Sequence, residues 1–570
     1  MLQQANNRAL AAGGGRMRLV VLSIMAAIAV AGCARKSDAP SSAASFAAAD
    51  INAASPLDRP FRLKGGEKLD VDRLFELLPL YLRPTYDKAA FDSKTGATVV
   101  TGLKFGDVAA GKGFTARRAE FYGVDLSKIE KLEAATDAPP DAPMSAVVAK
   151  LRLFDVESVA ADGASSTTSI GAVEIDSLRV RDGGIPKQSP ASGLASFFNS
   201  FDIAGVYFKD LRLAGAASKT SPGASAEFSA GDLRLVGVGG GNLTALVARD
   251  LDYLVHQSPE AISAASRGLG PMAGVLINGP LRNFIAPENQ RTRVKALEWR
   301  DISFAGLMQY GLKGEKPPIT ARNLINLGTA RFIDAETFVG EKRLSIVPQT
   351  DISAMEFAWL APSKIRAVTR GGVYDFTAYL ADGEKDAIAI LKARRLDAVK
   401  GDSDFAYDWN PDKGGAVASA GFESAGFADF DFDLALEGLE LKRIEEARAE
   451  GAPRPAADLA RLKSLSIVLA DEEMLDAFYE LSALQTGGTA KDVRAATPAM
   501  MRLGQLELKR ENPRMASYVD AIADFLEDGG TLEIRAEPET PLPLNAIGAA
   551  AQSGPDAMAA AVNLTVVRKK

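Results

Sequence analysis

The chain has 570 residues, with 66 Lys and Arg against 73 Asp and Glu, a net charge of −7, one histidine and one cysteine. Single cores stop growing near ~250 to 300 residues, so more than one domain is expected, and an acidic chain lacks the concentrated basic face that nucleic acid requires. Zinc sites built from His and Cys are excluded, and a Ser-His-Asp triad would have to use His256, with no G-x-S-x-G elbow to supply its serine.

In chain order, Arg8, Arg16 and Arg18 form a positive n-region and Leu19 to Val30 an apolar h-region. That run is too short to span a bilayer as a helix, which takes about 20 apolar residues, so it reads as an export signal. Val30-Ala31-Gly32-Cys33 resembles the lipobox of bacterial lipoproteins. The resemblance implies that Cys33 is acylated, that residues 1–32 are removed, and that Cys33 becomes the first residue of a chain held in the membrane by its acyl chains. Ordinary signal cleavage would leave a lone reactive thiol, a liability that acylation removes. Ala34 in place of Asp implies outer-membrane delivery in a Gram-negative envelope, facing the periplasm. Loss of the three arginines brings the net charge from −7 to about −10. Residues 33–57, rich in Ala and Ser, read as a flexible tether.

Val71, Leu74, Phe75 and Leu78 share one face of a helix that stops at Pro79. Strand patterns then dominate from about 95 to 255, broken by the Pro/Ala stretch 134–145. Residues 259–285 read as a helix interrupted near Gly268 to Pro271, with Ser258 as its N-cap and His256 a structural residue just ahead. The glycines of Gly237 to Gly241 lack the Lys-Ser/Thr of a phosphate loop and suit a hairpin. Strands resume from 294 to about 441. After the Gly451 to Pro455 break come two signalled helices. Asp471 caps one carrying Met474, Leu475, Phe478 and Leu481, and Asn512-Pro513 opens one carrying Met515, Tyr518, Val519, Ile522, Phe525 and Leu526. Both are expected to pack on the sheet, and Leu532 to Ala536 and Val562 to Val566 to be closing strands.

One pattern recurs: apolar, any, apolar, any, then Asp, Gly or Ser, then Leu, Ile or Val, any, apolar. The copies centre on Gly123, Ser177, Asp210, Asp232, Asp250, Asp301, Gly438 and Ser464. Apolar positions one, three, six and eight cannot share one side of a regular strand, so the parity shifts by one at the central residue. A β-bulge there restores the register, and Gly or Asp suits the local backbone; a tight corner between two strands would do the same. Uneven spacing between copies excludes a fixed-period solenoid and favours an antiparallel meander.

The fold expected is therefore α+β and β-dominated: a long bent antiparallel meander with peripheral helices and a helix-rich C-terminal part. Its divisions would be a first β-rich domain with helices over 58–286, a second β-rich region over 287–447 and a helix-rich subdomain over 448–570. Repeated bent strands of this kind resemble the AsmA-like envelope proteins of Gram-negative bacteria over about 95–441. That resemblance implies lipid handling or envelope maintenance through an apolar sheet surface, although those proteins begin with a transmembrane helix and this chain with a lipobox. Asp429, Asp431 and Asp433 lie on one face of a strand and cannot converge on a cation unaided. No catalytic residue, metal site or cofactor is assigned, and Cys33 is the one modification site. The expected function is a non-catalytic, membrane-anchored periplasmic lipoprotein whose curved sheet binds lipid or an envelope protein. A hydrolase of carbohydrate or peptidoglycan using a carboxylate pair, and a purely structural scaffold, stay open as alternatives.

Overall fold

The structure, a computed structural model, describes residues 48–570 except 79–82, 108–111, 135–141, 161–165, 183–194, 196–197, 216–223, 259–287, 382 and 453. Its strands are β1 (Lys88–Asp92), β2 (Ala97–Asp107), β3 (Lys112–Val124), β4 (Met144–Ala160), β5 (Ser166–Arg181), β6 (Phe201–Gly215), β7 (Ala224–Gly239), β8 (Asn242–Gln257), β9 (Asn289–Ser303) and β10 (Arg322–Asn326). The second half adds β11 (Thr329–Val339), β12 (Lys342–Ala358), β13 (Ala361–Tyr374), β14 (Val399–Asn410), β15 (Gly415–Ala425), β16 (Ala428–Glu437), β17 (Arg461–Asp471), β18 (Thr531–Ala536), β19 (Leu542–Pro543) and β20 (Leu564–Lys569). The helices are α1 (Val71–Glu76), α2 (Leu126–Ala134), α3 (Ala305–Lys313), α4 (Lys385–Ala393), α5 (Leu441–Ala449), α6 (Pro455–Leu459), α7 (Met474–Thr486), α8 (Ala490–Glu511), α9 (Pro513–Asp528), α10 (Leu544–Ser553) and α11 (Pro555–Ala561).

All twenty strands belong to one antiparallel sheet, and each pairs with its neighbour in the chain almost throughout. β10 and β11 share the place between β9 and β12, and β18 and β19 both pair with β17, so twenty strands fill eighteen places. At ~4.8 Å between strands the sheet is about 80 Å long. It runs unbroken past 447/448, through the pairing of β16 with β17.

The parity shift has a regular physical origin. Asp155, Asp210, Asp250 and Asp334 hold φ of 52°, 52°, 51° and 48°, and Gly102 and Gly371 hold 64° and 66°, all in the left-handed region. Register places them in one row across the sheet, on every second place from β2 to β13: Asp155 stands opposite Gly171 between the pairs Phe154↔Ala172 and Val156↔Ile170, and Gly171 in turn opposite Asp210. A second row joins Gly123, Ser177, Gly237 and Asp301, with φ of 57°, 54°, 65° and 59°, on the alternate strands β3, β5, β7 and β9. On each strand the two rows stand six residues apart, as at Ala149 and Asp155 or Asp250 and Thr244, or ~20 Å at ~3.3 Å per residue. The strands pass through both rows uninterrupted with one residue against one, so they bend as expected but at a left-handed residue, without the inserted residue of the expected β-bulge.

The strand opposite each left-handed Asp carries either a glycine or a cation. Asp210 and Asp250 lie over Gly171 and Gly231, where a Cβ would stand 3.1 Å and 3.2 Å from their carboxylates, while Asp155 pairs with Arg117 at 2.5 Å and Asp334 with Lys295 at 3.0 Å. Three copies of the motif depart from expectation, and at Gly438 the strand has already ended at Glu437 and Leu441 opens α5, so that copy is a corner. Asp232 has ordinary extended backbone, because on β7 the row passes through Gly231, one residue earlier. The motif's apolar positions read the same in both directions, so its crease falls one place earlier on the antiparallel neighbour. At Ser464 the pairs Ala435↔Ser464 and Leu436↔Leu462 leave Lys463 as the extra residue, a two-against-one bulge.

The expected tether over 33–57 is corrected in its second part. Ala48, Ala49, Ile51 and Ser55 are buried against the sheet, because arginines standing on the strands take up this segment's carbonyls. Helices α2, α3, α4 and α8 were not signalled by apolar periodicity. Those expected at 71–78, 474–486 and 513–528 are present, with Asp70, Asp471 and Asn512 accepting from first-turn amides. The helix expected over 259–285 lies outside the described residues.

Candidate functional site

The two sides of the sheet differ in chemistry. On the front, register connects a residue from every place in the sheet into one transverse ladder. It runs Phe91, Thr98, Phe121, Leu151, Ile175, Val206, Leu235, Leu246, Trp299, Ala330, Ile352, Ala367, Phe405, Ala420, Phe432, Ile467, Ile534 and Val566. Thr98 is its one polar member. A parallel ladder two residues away runs from Ala89 to Leu532 and turns polar only at Thr350, Thr369 and Ser403, where the two threonine hydroxyls bond at 3.0 Å.

Two further apolar ladders flank these beyond the creases. One passes through Leu103, Ala116, Val156, Ile170, Leu211, Leu251, Val294, Ala335 and Val347, the other through Val124, Val148, Leu178, Ile203, Val238, Leu243 and Ile302. Without the parity flip at each row these flanking residues would point to the back. With it, Leu211, Leu251 and Val294 join Phe208, Leu246, Leu297, Trp299 and Phe332 in one apolar cluster. The residues bordering the first row are the deepest, with Leu103, Ala116, Ala119, Ala230 and Ala248 at 0 to 1% exposure.

Helices close the ends and margins of this front. α1 sets Val71 and Phe75 on Val100, Leu103 and Val156, and α9 sets Tyr518 and Ile522 on Ile534 and Val566. α7 adds Leu475 and Tyr479 against Leu469 and Leu532, while α3 and α5 pack near Trp409 and Leu436. Among the described residues no helix packs broadly across the front of β5 to β9.

The back between the creases mixes charged and apolar positions and is covered by the chain itself, with Val236, Ala245, Val247 and Ala296 buried under Ala48, Ala49 and Ile51. Arg234 is fully buried and donates to the carbonyls of Ala48 (3.2 Å), Asp50 (3.0 Å) and Ala53 (2.7 Å), and to Asp232 at 2.5 Å; Ser55 Oγ donates to the other oxygen of Asp232 at 3.0 Å. Arg300 donates to Ala49 O at 2.8 Å, Arg249 to Ile51 O and Arg152 to Arg59 O at 2.9 Å. Glu174, also fully buried, pairs with Arg152 at 2.6 Å and with Lys150. The segment therefore crosses from β9 to β4 at right angles to the strands, one basic residue after another. Burial, then the Glu120 carboxylate accepting its proton at 2.8 Å, pushes the Tyr122 hydroxyl well up; burial and then Asp176 and Glu174 do the same for Tyr207.

Cys33 lies outside the described residues. His256, next to the last residue of β8, meets Asn289 Oδ1 at 2.8 Å through Nδ1. Asp429, Asp431 and Asp433 line one side of β16 as the alternation requires, with Phe430 and Phe432 on the front. Asp404 reaches over Gly421 toward them, and loss of water, then Asp433, Asp404 and Asp429, raises the Asp431 carboxyl. Among the described residues no three His, Cys, Asp or Glu side chains are placed to hold a metal ion, and no helix is long and apolar enough to cross a membrane.

The comparisons with known proteins bear on one part of the chain. A family model described as an uncharacterized protein matches residues 421–569. No curated protein matches the chain. The matched part runs from within β15 to β20 and contains the helices α7 to α9 that close the C-terminal end of the front.

Proposed function

We propose that the protein is a non-catalytic lipoprotein of the Gram-negative envelope, anchored through acyl chains on Cys33, that holds lipid acyl chains along the front of its sheet. The observation that carries this reading is the set of apolar ladders, four abreast between β3 and β9, with no helix laid across β5 to β9 among the described residues. Between the creases alone the front spans ~20 Å by six strand steps of ~4.8 Å, roughly 600 Å² of apolar sheet face whose side chains are half-buried to buried against one another. Acyl chains suit such a surface because burial is non-directional, at ~25 cal/mol per Å², and asks for no polar partner. Among the described residues the buried charges Lys150, Arg152, Glu174, Asp232 and Arg234 lie on the back, paired with one another and with residues 48–59.

The test is expression without Cys33, purification, and mass spectrometry of the organic extract. Phospholipid should accompany the protein and be lost from Phe208→Asp and Leu246→Asp variants that keep the parent circular dichroism. A folded protein that emerges free of lipid would end this reading in favour of an envelope-protein partner or a scaffold.

A further inference from the structure

Helix α8 is turned inside out. Three of its charged side chains turn to the neighbouring helices: Arg494 pairs with Asp476 at 2.5 Å, Arg502 with Asp524 at 2.7 Å and Glu527 at 2.6 Å, and Lys509 with Asp520 at 3.3 Å. Its outward face over 495–504 is Ala495, Ala496, Ala499, Met500, Leu503 and Gly504, all exposed, with Met500 at 73% and Leu503 at 74%. A helix on the surface of a soluble protein has the opposite arrangement.

We infer that this face of α8 rests on a lipid bilayer, with Met500 and Leu503 entering the boundary between headgroups and acyl chains. Three observations favour a bilayer. Lys491, exposed at the N-terminal end of the apolar stretch, is placed to reach a phosphate, while the exposed face over 495–504 carries no charge. The helix belongs to the bundle that closes the C-terminal end of the front, since α9, against which α8 packs, covers Ile534 and Val566 where the first ladder ends. A membrane here therefore meets the apolar front at its C-terminal end. A second copy is disfavoured by size: two large side chains among alanines and a glycine offer on the order of 300 Å², against ~800 Å² per partner in a stable interface.

The inference extends the lipid-handling reading but has its own readout. The chain without Cys33 is mixed with vesicles of phosphatidylethanolamine and phosphatidylglycerol and floated on a density gradient. The parent should float, and Met500→Asp/Leu503→Asp should reduce the floated fraction at least tenfold, with lipid retained on the front and the melting curve unchanged because both positions are exposed. Parent protein that stays at the bottom, or a variant that floats equally well, overturns the inference. So does a dimer, seen by light scattering, that the same substitutions break. A front free of lipid with intact flotation would instead remove the lipid-handling reading and leave this one standing.

Discussion

Replacing Arg234 by alanine should release residues 48–62 from the back of the sheet while the sheet itself stands. The guanidinium is fully buried, donates to three carbonyls of that segment and holds Asp232. Three bonds from a charged donor at ~1.5 kcal/mol or more each sum to about 5 kcal/mol, the same size as the ~3 to 5 kcal/mol for stranding one partner of a buried pair. At ~1.4 kcal/mol per factor of ten, opening of the segment should become roughly a thousandfold easier. Hydrogen exchange across 48–62 measures this directly, and trypsin at Arg59 and Arg62 gives a second reading. Exchange in β6 and β7 should change far less, because their backbone bonds do not involve the segment. Adding Asp232→Ala should recover part of the loss, since no unpaired carboxylate then remains beneath it. Exchange over 48–62 unchanged from the parent would refute the assignment of Arg234 as the fastening.

Two further outcomes test the creases and the acidic side. Asp250→Gly should keep or raise the thermal midpoint, as glycine accepts φ of 51° freely, whereas Asp250→Val should lower stability by ~1 to 3 kcal/mol, read as a drop in the midpoint. Because desolvation and neighbouring carboxylates raise the Asp431 carboxyl, the folded chain holds that proton more tightly than the unfolded one. Its charging therefore disfavours the fold as pH rises above the ordinary value of 3.8. Asp431→Asn should raise the midpoint at pH 7, the gain shrinking on acidification through that range and in high salt.

The front of the sheet was legible in the chain because its cause is local. An apolar parity that slips by one at Asp250 or Ser177 has few explanations, and a left-handed residue is one of them. That the slip on β7 belongs to Gly231 rather than Asp232 depends on which strand lies opposite, which no single strand reveals. Gly171 and Gly231 were the available signal, since a strand glycine marks a close approach, here to Asp210 and Asp250. The fastening of residues 48–59 was hidden for another reason. Arg152, Arg234, Arg249 and Arg300 occupy the outward positions of amphipathic strands, where arginine ordinarily faces water, and a run of Ala and Ser has no periodicity to betray it. α8 escaped notice because Pro498 interrupts it and its apolar residues face outward.

The alternation of left-handed residues makes the hairpin the unit of length. Each crease touches every second place, so two adjacent strands between them carry one left-handed residue for each row, as β6 does with Asp210 and β7 with Gly237. Removing or duplicating a whole hairpin leaves both creases, all four ladders and the fit at either side intact, and alters the sheet by two strand spacings, about 10 Å. Removing a single strand would bring two left-handed residues side by side and turn one strand's direction against its neighbour. A chain built this way can be matched to the span it must cover in fixed steps, with its two ends unchanged.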